Sequence, residues 1–487
     1  MRLQDILPGA DLAPALRGLE ISGLSADSRA IRPGFVFFAI PGHKGDGLDF
    51  VSDAAARGAV AVVAQRVAAS ALPLVLVADA RRSLALAAAR LHPRQPGAIA
   101  LVTGTSGKTS VVAFLRQIWQ ALGHEAASLG TVGLVDKSGS RYGALTTPGP
   151  VELHELLDAS ARRGVTHLAM EASSLGVEQR RLDGVNATLA AFTNFSRDHL
   201  DHHPSLEAYF QAKMRLFETL MQPGQTVVVD ADSDAAPRVL SVLRARGLQS
   251  FTVGAKGEAI ALVESRPQAL STMLRLRHAD QEYEIDLPLA GAFQTSNALV
   301  AAGLAIVSGD APAGVFSALS RLRGAPGRLE LVGEKNGAPI FVDYAHKPDA
   351  LEKVLQVLRP LVKGRLIVVF GCGGDRDQGK RPLMGAIAAR DADAVIVTDD
   401  NPRSEDAGAI RAAILAGARE VDAAKAIEIA DRESAITSAV AGLGAGDLLI
   451  VAGKGHETGQ IIGEMTYPFS DQDVVAKALG LTREDMA

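Results

Sequence analysis

Short apolar runs rich in Val, Ile, Leu and Ala alternate along this chain with longer stretches in which apolar positions recur every three or four residues. From about residue 98 the alternation is regular. AIALVTG, THLAMEASS, TLAAFTNFS and TVVVDAD read as strands with amphipathic helices between them, the pattern of a mostly parallel sheet covered by helices. After the first of these strands, Val111, Val112, Leu115, Ile118, Trp119 and Leu122 fall at helical spacing. The glycine-rich turn GTSGKTS therefore sits between a strand and a helix N-terminus, where a phosphate binds. The series ends at the Arg, Gly and Pro cluster RLRGAPGR at 321–328, which reads as a linker. PIFVDYAH, RLIVVFGCGGD, DAVIVTDDNPR and DLLIVAGKGHE then form a second series. Each strand runs into a polar or glycine-rich segment, and open α/β sheets collect their ligands at such ends. Before residue 98, FVFFAI enters the loop PGHKGDG and leads to an alanine-rich helix. The expectation is an α/β protein of three domains: 1–97, 98–325 around the phosphate loop, and 326–487 with a nucleotide-type, Rossmann-like sheet.

Composition narrows the class. A chain of 487 residues exceeds one ordinary core, and 47% apolar with 22% charged residues suits folded domains rather than disorder. A formal charge of −5 gives no broad basic surface, so no nucleic-acid partner is expected. The single cysteine, Cys372, rules out an internal disulfide framework, and no histidine adjoins it to activate a thiolate. MRLQDILPGADL carries Asp5, Pro8 and Asp11 where a signal peptide needs an apolar run, which points to the cytoplasm. AVAVVAQRVAASALPLVLVA is broken by Gln65, Arg66 and Pro73, short of the ~20 clean apolar residues of a membrane span. No membrane insertion is expected.

Candidate chemistry begins at VTGTSGKTS. The usual phosphate-loop spacing would put its first glycine at Val102, yet Gly104 and Gly107 allow tight turns, Lys108 offers a charge and Thr109 a metal-binding hydroxyl. Glu171 closes the strand HLAME, so its carboxylate emerges at the same sheet edge, where a hard Mg²⁺ beside a nucleotide needs an oxygen. TNFSRDHLDHH concentrates Asp198, His199, Asp201, His202 and His203. Zinc is disfavoured there, with neither cysteine ligands nor an H-E-x-x-H spacing; His202 and His203 read as loop or cap residues. In YFQAKMRLF the buried stripe is Phe210, Met214 and Phe217, and spacing alone makes Lys213 a solvated lysine.

Taken in order, GTSGKTS, TTPGP, EASSLGVEQRR, TNFSRDHLDHH, YFQAKMRLF, VDYAHKPD, DNPRSED and AGKGHE resemble the bacterial Mur ligases, specifically the MurE-type branch that adds the third residue of the peptidoglycan stem peptide. The resemblance runs from DSR at 27–29 to GKGHE at 453–457, and the shortened phosphate loop is that family's own. It implies an N-terminal UDP-binding domain, a central ATPase and a C-terminal domain for the incoming amino acid. It also implies a reaction: ATP phosphorylates the D-glutamyl carboxylate of UDP-MurNAc-L-Ala-D-Glu, an amine attacks the acyl phosphate, and phosphate leaves.

The site residues it implies are these. Gly104, Thr105, Ser106, Gly107, Lys108, Thr109 and Ser110 bind ATP, joined by Asn297, Arg328, Asp343, Tyr344 and His346. Thr109 and Glu171 hold Mg²⁺ and His199 lies near a second one. Lys213 matches the lysine this family carbamylates, which turns a cation into a carboxylate-like anion able to share a site with Mg²⁺. Ser28, His43, Lys44 and Gly45 meet the UDP part; Thr146, Thr147, Ser173, Gln179 and Arg181 meet the muramoyl-dipeptide. Asp400, Asn401, Pro402 and Arg403, with Arg376, Gly453 and Glu457, form the amino-acid pocket. An arginine holds a carboxylate bidentately, so Arg403 favours meso-2,6-diaminopimelate, with Glu457 for its distal ammonium. Leu175 and Gln294 depart from the histidine and asparagine common in the family.

The alternatives are sister ligases adding L-lysine or D-alanyl-D-alanine, a folylpolyglutamate synthetase, a nucleotide-driven switch, and a UDP-sugar-binding protein without catalysis. Lysine enzymes usually lack the arginine of DNPR. A GTP switch needs an N/T-K-x-D motif, and no lysine here follows Asn or Thr. Retained Lys108, Thr109, Glu171 and Lys213 disfavour a non-catalytic binder. A monomer is expected.

Overall fold

The computed structural model describes residues 1–42, 45–141, 143, 145–198, 202–268 and 270–481. The chain divides into two compact units, one made of Met1–Leu262, Arg277–Gln281 and Ser296–Ala318, the other of Val263–Leu276, Glu282–Thr295 and Leu319–Ala487.

The first unit opens with a parallel sheet in the order β1 (Gly23–Ser25), β2 (Phe35–Phe38), β3 (Ala61–Ala64), β4 (Leu74–Leu76). Alternate residues point to opposite faces. Val36, Phe38, Ala61 and Val63 pack with Leu84, Ala87 and Ala88 of the helix Ala80–Leu91, while Phe37, Val62 and Ala64 pack with Val51 and Ala54 on the other side. Two buried faces explain why FVFFAI is continuously apolar rather than alternating.

Next comes the larger sheet, β5 (Ala98–Thr103), β6 (Ala126–Gly130), β7 (Gly133–Asp136), β8 (Gly139–Arg141), β9 (His167–Glu171), β10 (Leu189–Phe192), β11 (Thr226–Asp230) and β12 (Gln249–Gly254). Its order is β12-β11-β10-β5-β9-β6-β7-β8, parallel except for the β7 and β8 additions. Ile99, Leu101, Leu129, Leu168, Met170, Phe192 and Val227 build one core face with Leu153, Leu157, Phe210 and Met214 from the helices. Val102 of β5 pairs Glu171 of β9, and Thr103 pairs Phe192 of β10. The loop after β5 is thus walled by the ends of both neighbours. β13 (Ile260–Pro267) continues from β12, and β14 (Thr272–His278) and β15 (Gln281–Leu287) follow in the chain.

The second unit holds β16 (Glu330–Lys335), β17 (Ala338–Asp343), β18 (Leu366–Phe370), β19 (Ala394–Val397), β20 (Ala426–Glu428) and β21 (Leu448–Ala452), ordered β16-β17-β21-β18-β19-β20. All neighbours are parallel but the β16–β17 pair. Val368, Phe370, Val395, Val397 and Ile450 face Leu355, Met384 and Ile414 of three helices, while Ile367, Val369, Ile396 and Val451 face Ile436 and Val475 of two others. This is the doubly covered sheet that the second strand series predicts. A hairpin, β22 (Gly459–Ile462) with β23 (Met465–Pro468), follows β21. No helix among the described residues is long and apolar enough to cross a membrane.

Candidate active site

The phosphate loop turns on two glycines. Gly104 has φ 150° and Gly107 has φ 84°, a left-handed value at the residue preceding the helix Lys108–Ala121. Space forbids a side chain at either: a Cβ on Gly104 would strike the Thr193 hydroxyl, and one on Gly107 would strike Oδ1 of Asn297. Asn297 thus abuts the loop from the helix Ala292–Val307. The loop is also pinned from the end of β10. Thr105 N donates to Asn194 O (2.9 Å), Ser106 N donates to Asn194 Oδ1 (3.0 Å), and Thr193 Oγ1 donates to Ser106 O (2.7 Å). Lys108 Nζ curls over its own loop, donating to Gly104 O and Thr105 O, both at 2.9 Å. Thr109 and Ser110 are buried on the first helical turn.

Glu171 is fully buried at the end of β9. Thr131, just after β6, holds both its oxygens: the backbone N–H donates to Oε1 at 2.8 Å and the hydroxyl to Oε2 at 3.2 Å. The approach is close enough that Gly130 has no room for a Cβ beside Oε1. From there polar contacts run on through the residues assigned to the dipeptide. Thr131 Oγ1 meets Thr146 Oγ1 at 3.1 Å, Thr147 Oγ1 donates to Glu171 O at 3.0 Å, and Thr147 Oγ1 meets Ser173 Oγ at 3.0 Å. Arg181 donates to Thr147 O (2.6 Å) through Nη1 and to Gln179 Oε1 (2.7 Å) through Nη2. Burial and the nearby Arg81 lower the Arg181 pKa, so an anion beside it would relieve a desolvated cation. Ser28 is buried in the short helix Ser28–Ala30, hydrogen-bonded to Asp53, and Gly45 O accepts from Gly42 N at 2.9 Å. His43, Lys44 and His199 lie outside the described residues.

Lys213 differs from the reading by spacing. It is 1% exposed, and Nζ donates to Gly104 O at 2.7 Å while lying 4.3 Å from the centre of the Tyr209 ring. Burial pushes its ammonium well below the usual lysine range, Lys108 adds to the push and Asp198 opposes it. The helix Leu206–Arg215 passes directly into a π-helical turn, Leu216–Leu220. Lys213 stands three residues after Phe210 and four before Phe217, on the face of the buried stripe, so its helical position carries it into the core, and the π turn begins only after it. His203 likewise is no exposed cap. It is 1% exposed, with Nε2 3.0 Å from Ser174 Oγ and its ring 5.2 Å from that of Tyr209.

In the second unit, Arg328 lies 4.8 Å above the Tyr344 ring, whose other neighbours are His346 (4.5 Å) and His456 (4.9 Å). Asp343 accepts Leu329 N at 2.6 Å and Ala345 N at 2.7 Å, and burial raises its pKa. Both histidines are pushed down to about 4, chiefly by burial, and stay neutral near pH 7. The Tyr344 carbonyl accepts from His346 Nδ1 at 2.8 Å, which leaves Nε2 as the acceptor. Gln294 sits 1% exposed with Nε2 on Arg328 O at 3.1 Å, the contact its amide makes in place of the family's asparagine.

The DNPR segment leaves β19 and is clasped by the hairpin. Gln460 Nε2 donates to Asp400 O (2.8 Å), Ile461 N to Asn401 Oδ1 (2.9 Å), Arg403 N to Ile461 O (3.1 Å) and Gly463 N to Arg403 O (2.7 Å). These contacts hold Arg403 at φ 53°, a conformation that L residues rarely adopt. Its Nη1 donates to Gly374 O at 2.8 Å, and a Cβ on Gly373 would meet both Arg403 and Arg376. Pro402 O accepts Glu405 N at 3.1 Å. Asn401 Nδ2 donates to Glu457 Oε2 at 2.8 Å, and the Asp400 carboxylate crowds Gly453. Guanidinium and carboxylate thus stand on one loop cluster. Cys372 is buried and its thiol pushed up to about 12 by desolvation, an inert group.

Thr131 and Lys454 carry contacts that spacing did not single out. Thr131 had a faint signal, the glycines around it in LGTVG. Among the described residues no three His, Cys, Asp or Glu side chains converge as a metal cage. Thr109 and Glu171 still fit Mg²⁺, which takes hard oxygens and typically one or two carboxylates plus phosphate.

Three family models match the chain: "Mur ligase family, catalytic domain" over 20–92, "Mur ligase middle domain" over 102–305 and "Mur ligase, glutamate ligase domain" over 327–455. The UDP-N-acetylmuramoyl-L-alanyl-D-glutamate--2,6-diaminopimelate ligase of Bradyrhizobium diazoefficiens is 55% identical over 98% of this chain and 99% of its own. The enzyme of the same name from Agrobacterium fabrum is 53% identical over 96% and 95%. A solved structure of such a ligase superposes with a TM-score of 0.73 at 31% identity, covering 99% of both chains. MurF from Acinetobacter baumannii, at 20% identity and TM-score 0.63 over 92% of this chain and 94% of its own, shares the fold. With relatives this similar across nearly its whole length, the chain belongs to the Mur ligase family.

Proposed function

We propose that the protein catalyses ATP-dependent addition of meso-2,6-diaminopimelate to UDP-MurNAc-L-Ala-D-Glu, giving the UDP-MurNAc-tripeptide, ADP and phosphate. A carboxylate resists amines because its charge repels nucleophiles and oxide is a poor leaving group. Transfer of the γ-phosphoryl group to a D-glutamyl carboxylate oxygen solves both problems. The diaminopimelate amine then attacks the acyl carbon, the C–O bond to phosphate breaks, and the amine proton is lost as the amide forms. The protein positions the reactants and stabilises charge.

The Gly104–Ser110 loop cradles the phosphates with backbone N–H groups, and Lys108 turns from the carbonyls of Gly104 and Thr105 to the phosphate oxygens. Asn297, Arg328, Asp343, Tyr344 and His346 serve the nucleoside side. Thr109 and Glu171 would be the oxygen donors for Mg²⁺ and His199 would serve a second ion; bound Mg²⁺ would supply charge neutralisation for the triphosphate. Lys213 is the carbamylated lysine. Its burial favours the neutral amine that adds CO₂, forming an N–C bond and releasing a proton. Thr146, Thr147, Ser173, Gln179 and Arg181 orient the dipeptide carboxylate, with Ser28, His43, Lys44 and Gly45 on the UDP portion.

The observation that carries the choice of amine is that the Arg403 guanidinium and the Glu457 carboxylate, the latter held by Asn401, both lie within electrostatic reach of Tyr344. Diaminopimelate ends in a second amino-acid head, whose carboxylate suits a guanidinium and whose ammonium suits a carboxylate. L-lysine brings an ammonium alone. The test is phosphate release with ATP, Mg²⁺ and UDP-MurNAc-L-Ala-D-Glu, with meso-diaminopimelate, L-lysine or no amine in parallel and product mass as the check. Tripeptide only with diaminopimelate is the expected result; equal turnover with lysine overturns the choice of amine, and no amine dependence overturns the ligase reading.

A further inference from the structure

Lys454 lies between Gly453 and Gly455 in GKGHE and is 0% exposed. Its Nζ donates to Asn401 Oδ1 and to Glu457 Oε2, both at 3.0 Å. Asn401 closes the triangle by donating Nδ2 to the same Glu457 oxygen, while Ile461 N also donates to Asn401 Oδ1. Every polar atom of that amide is therefore committed in one orientation. A buried ammonium is costly unless paired, and this one spends itself on the two side chains that face the incoming amino acid in the reading above.

We infer that Lys454 sets the net charge of the amino-acid pocket, and through it the preference for a zwitterionic over a cationic side-chain head. The inference rests on the diaminopimelate reading. Of the other charges nearby, Arg432 pairs with Asp471 at 2.7 Å and 2.8 Å and Arg381 with Glu405 at 2.9 Å, while Asp375 faces both Arg403 and Arg376. Asp400, Glu457, Arg403 and Arg328 all act on Tyr344, and Lys454 adds its cation directly to Glu457. Fixed opposite charges side by side complement a head carrying one ammonium and one carboxylate. Without Lys454 the pocket is one charge more negative and Glu457 loses the cation beside it, a change toward the complement of lysine's lone ammonium. Lys454 is thus a positioning and specificity residue acting through Glu457 and Asn401, and specificity here includes a device against the wrong amine.

The test is steady-state kinetics of the full-length protein and its Lys454→Met, Lys454→Gln and Lys454→Arg variants with meso-diaminopimelate and with L-lysine. Folding is checked by near-ultraviolet circular dichroism. In the Met and Gln variants the diaminopimelate-to-lysine ratio of kcat/KM is expected to fall by at least about tenfold, through a raised KM for diaminopimelate with the KM for ATP unchanged. The Arg variant keeps the wild-type ratio. A parallel loss on both amines at constant ratio, or a change in kcat alone, overturns the inference and leaves Lys454 a structural prop. A wild-type protein without any preference between the amines overturns the diaminopimelate reading itself, and this inference with it.

Discussion

His154 offers a prediction whose size follows from the structure. It lies in the helix Pro150–Arg162, fully buried, with no hydrogen-bond partner among the described residues for either ring nitrogen. The ring packs where that helix meets Ala80–Leu91, against Gly184 and close to Ala85 and Ala89. Desolvation, aided by His92, lowers its pKa from 6.5 to about 4. In the unfolded chain the imidazole gains its proton near pH 6.5, but in the folded protein only near 4. The associated stability is therefore complete above 6.5 and drains away as pH falls toward 4. Between pH 7 and pH 5 linkage gives a loss of about 1.8 kcal/mol, roughly 20-fold in an opening constant. His154→Leu is of similar volume and removes the titrating group.

Hydrogen exchange of peptides from 80–91 and 150–162, corrected for intrinsic rates, is the assay. Wild-type protection should weaken by about that factor from pH 7 to pH 5. The Leu variant should lose the part due to this ring, which separates it from other groups titrating nearby. Equal pH dependence in both proteins would refute the argument, since a buried neutral ring with no partner leaves no other sign.

Arg403→Lys keeps the charge but loses the planar fork, while the hairpin still holds the backbone; kcat/KM for diaminopimelate should fall by about 1.5–3 kcal/mol, roughly 10- to 150-fold, and a loss under threefold would contradict bidentate recognition. Lys213→Arg keeps a cation that cannot take up CO₂, so product formation should drop by at least about 100-fold, and wild-type activity should fall in CO₂-depleted buffer and return with bicarbonate. Gly107→Ala forces a Cβ onto Asn297 and a left-handed backbone costing about 1–2 kcal/mol; calorimetric titration should show ATP affinity reduced by tenfold or more, and unchanged affinity would mean the loop can re-form around a side chain. Cys372, with its thiol at about 12, should resist maleimide at pH 7.5 in the folded protein and react on denaturation.

Local pattern determined much of this protein because most of its strands are buried on two faces and its helices on one. AIALVTG, HLAME, LIVVF and LLIVA are strands because apolar runs of that length bounded by glycine or polar residues have few other stable uses. The phosphate loop was equally legible: Gly104 and Gly107 sit where the backbone takes values that glycine tolerates best. Glu171 followed from its place at the end of a strand beside that loop.

Tertiary structure decided what depends on long-range neighbours. Lys213 reads as solvated by spacing, but the approach of Gly104, more than a hundred positions away, gives its ammonium a partner inside the core. His203 is buried because Ser174 and Tyr209 come to it from other segments. Thr131 gains its role only because β6 lies beside β9 and brings its N–H and hydroxyl to the Glu171 carboxylate. Lys454 is a lysine between two glycines until β21 and the DNPR loop converge and close Asn401 and Glu457 around it. Periodicity records which face of an element is apolar; it carries no record of which distant charge will be its partner.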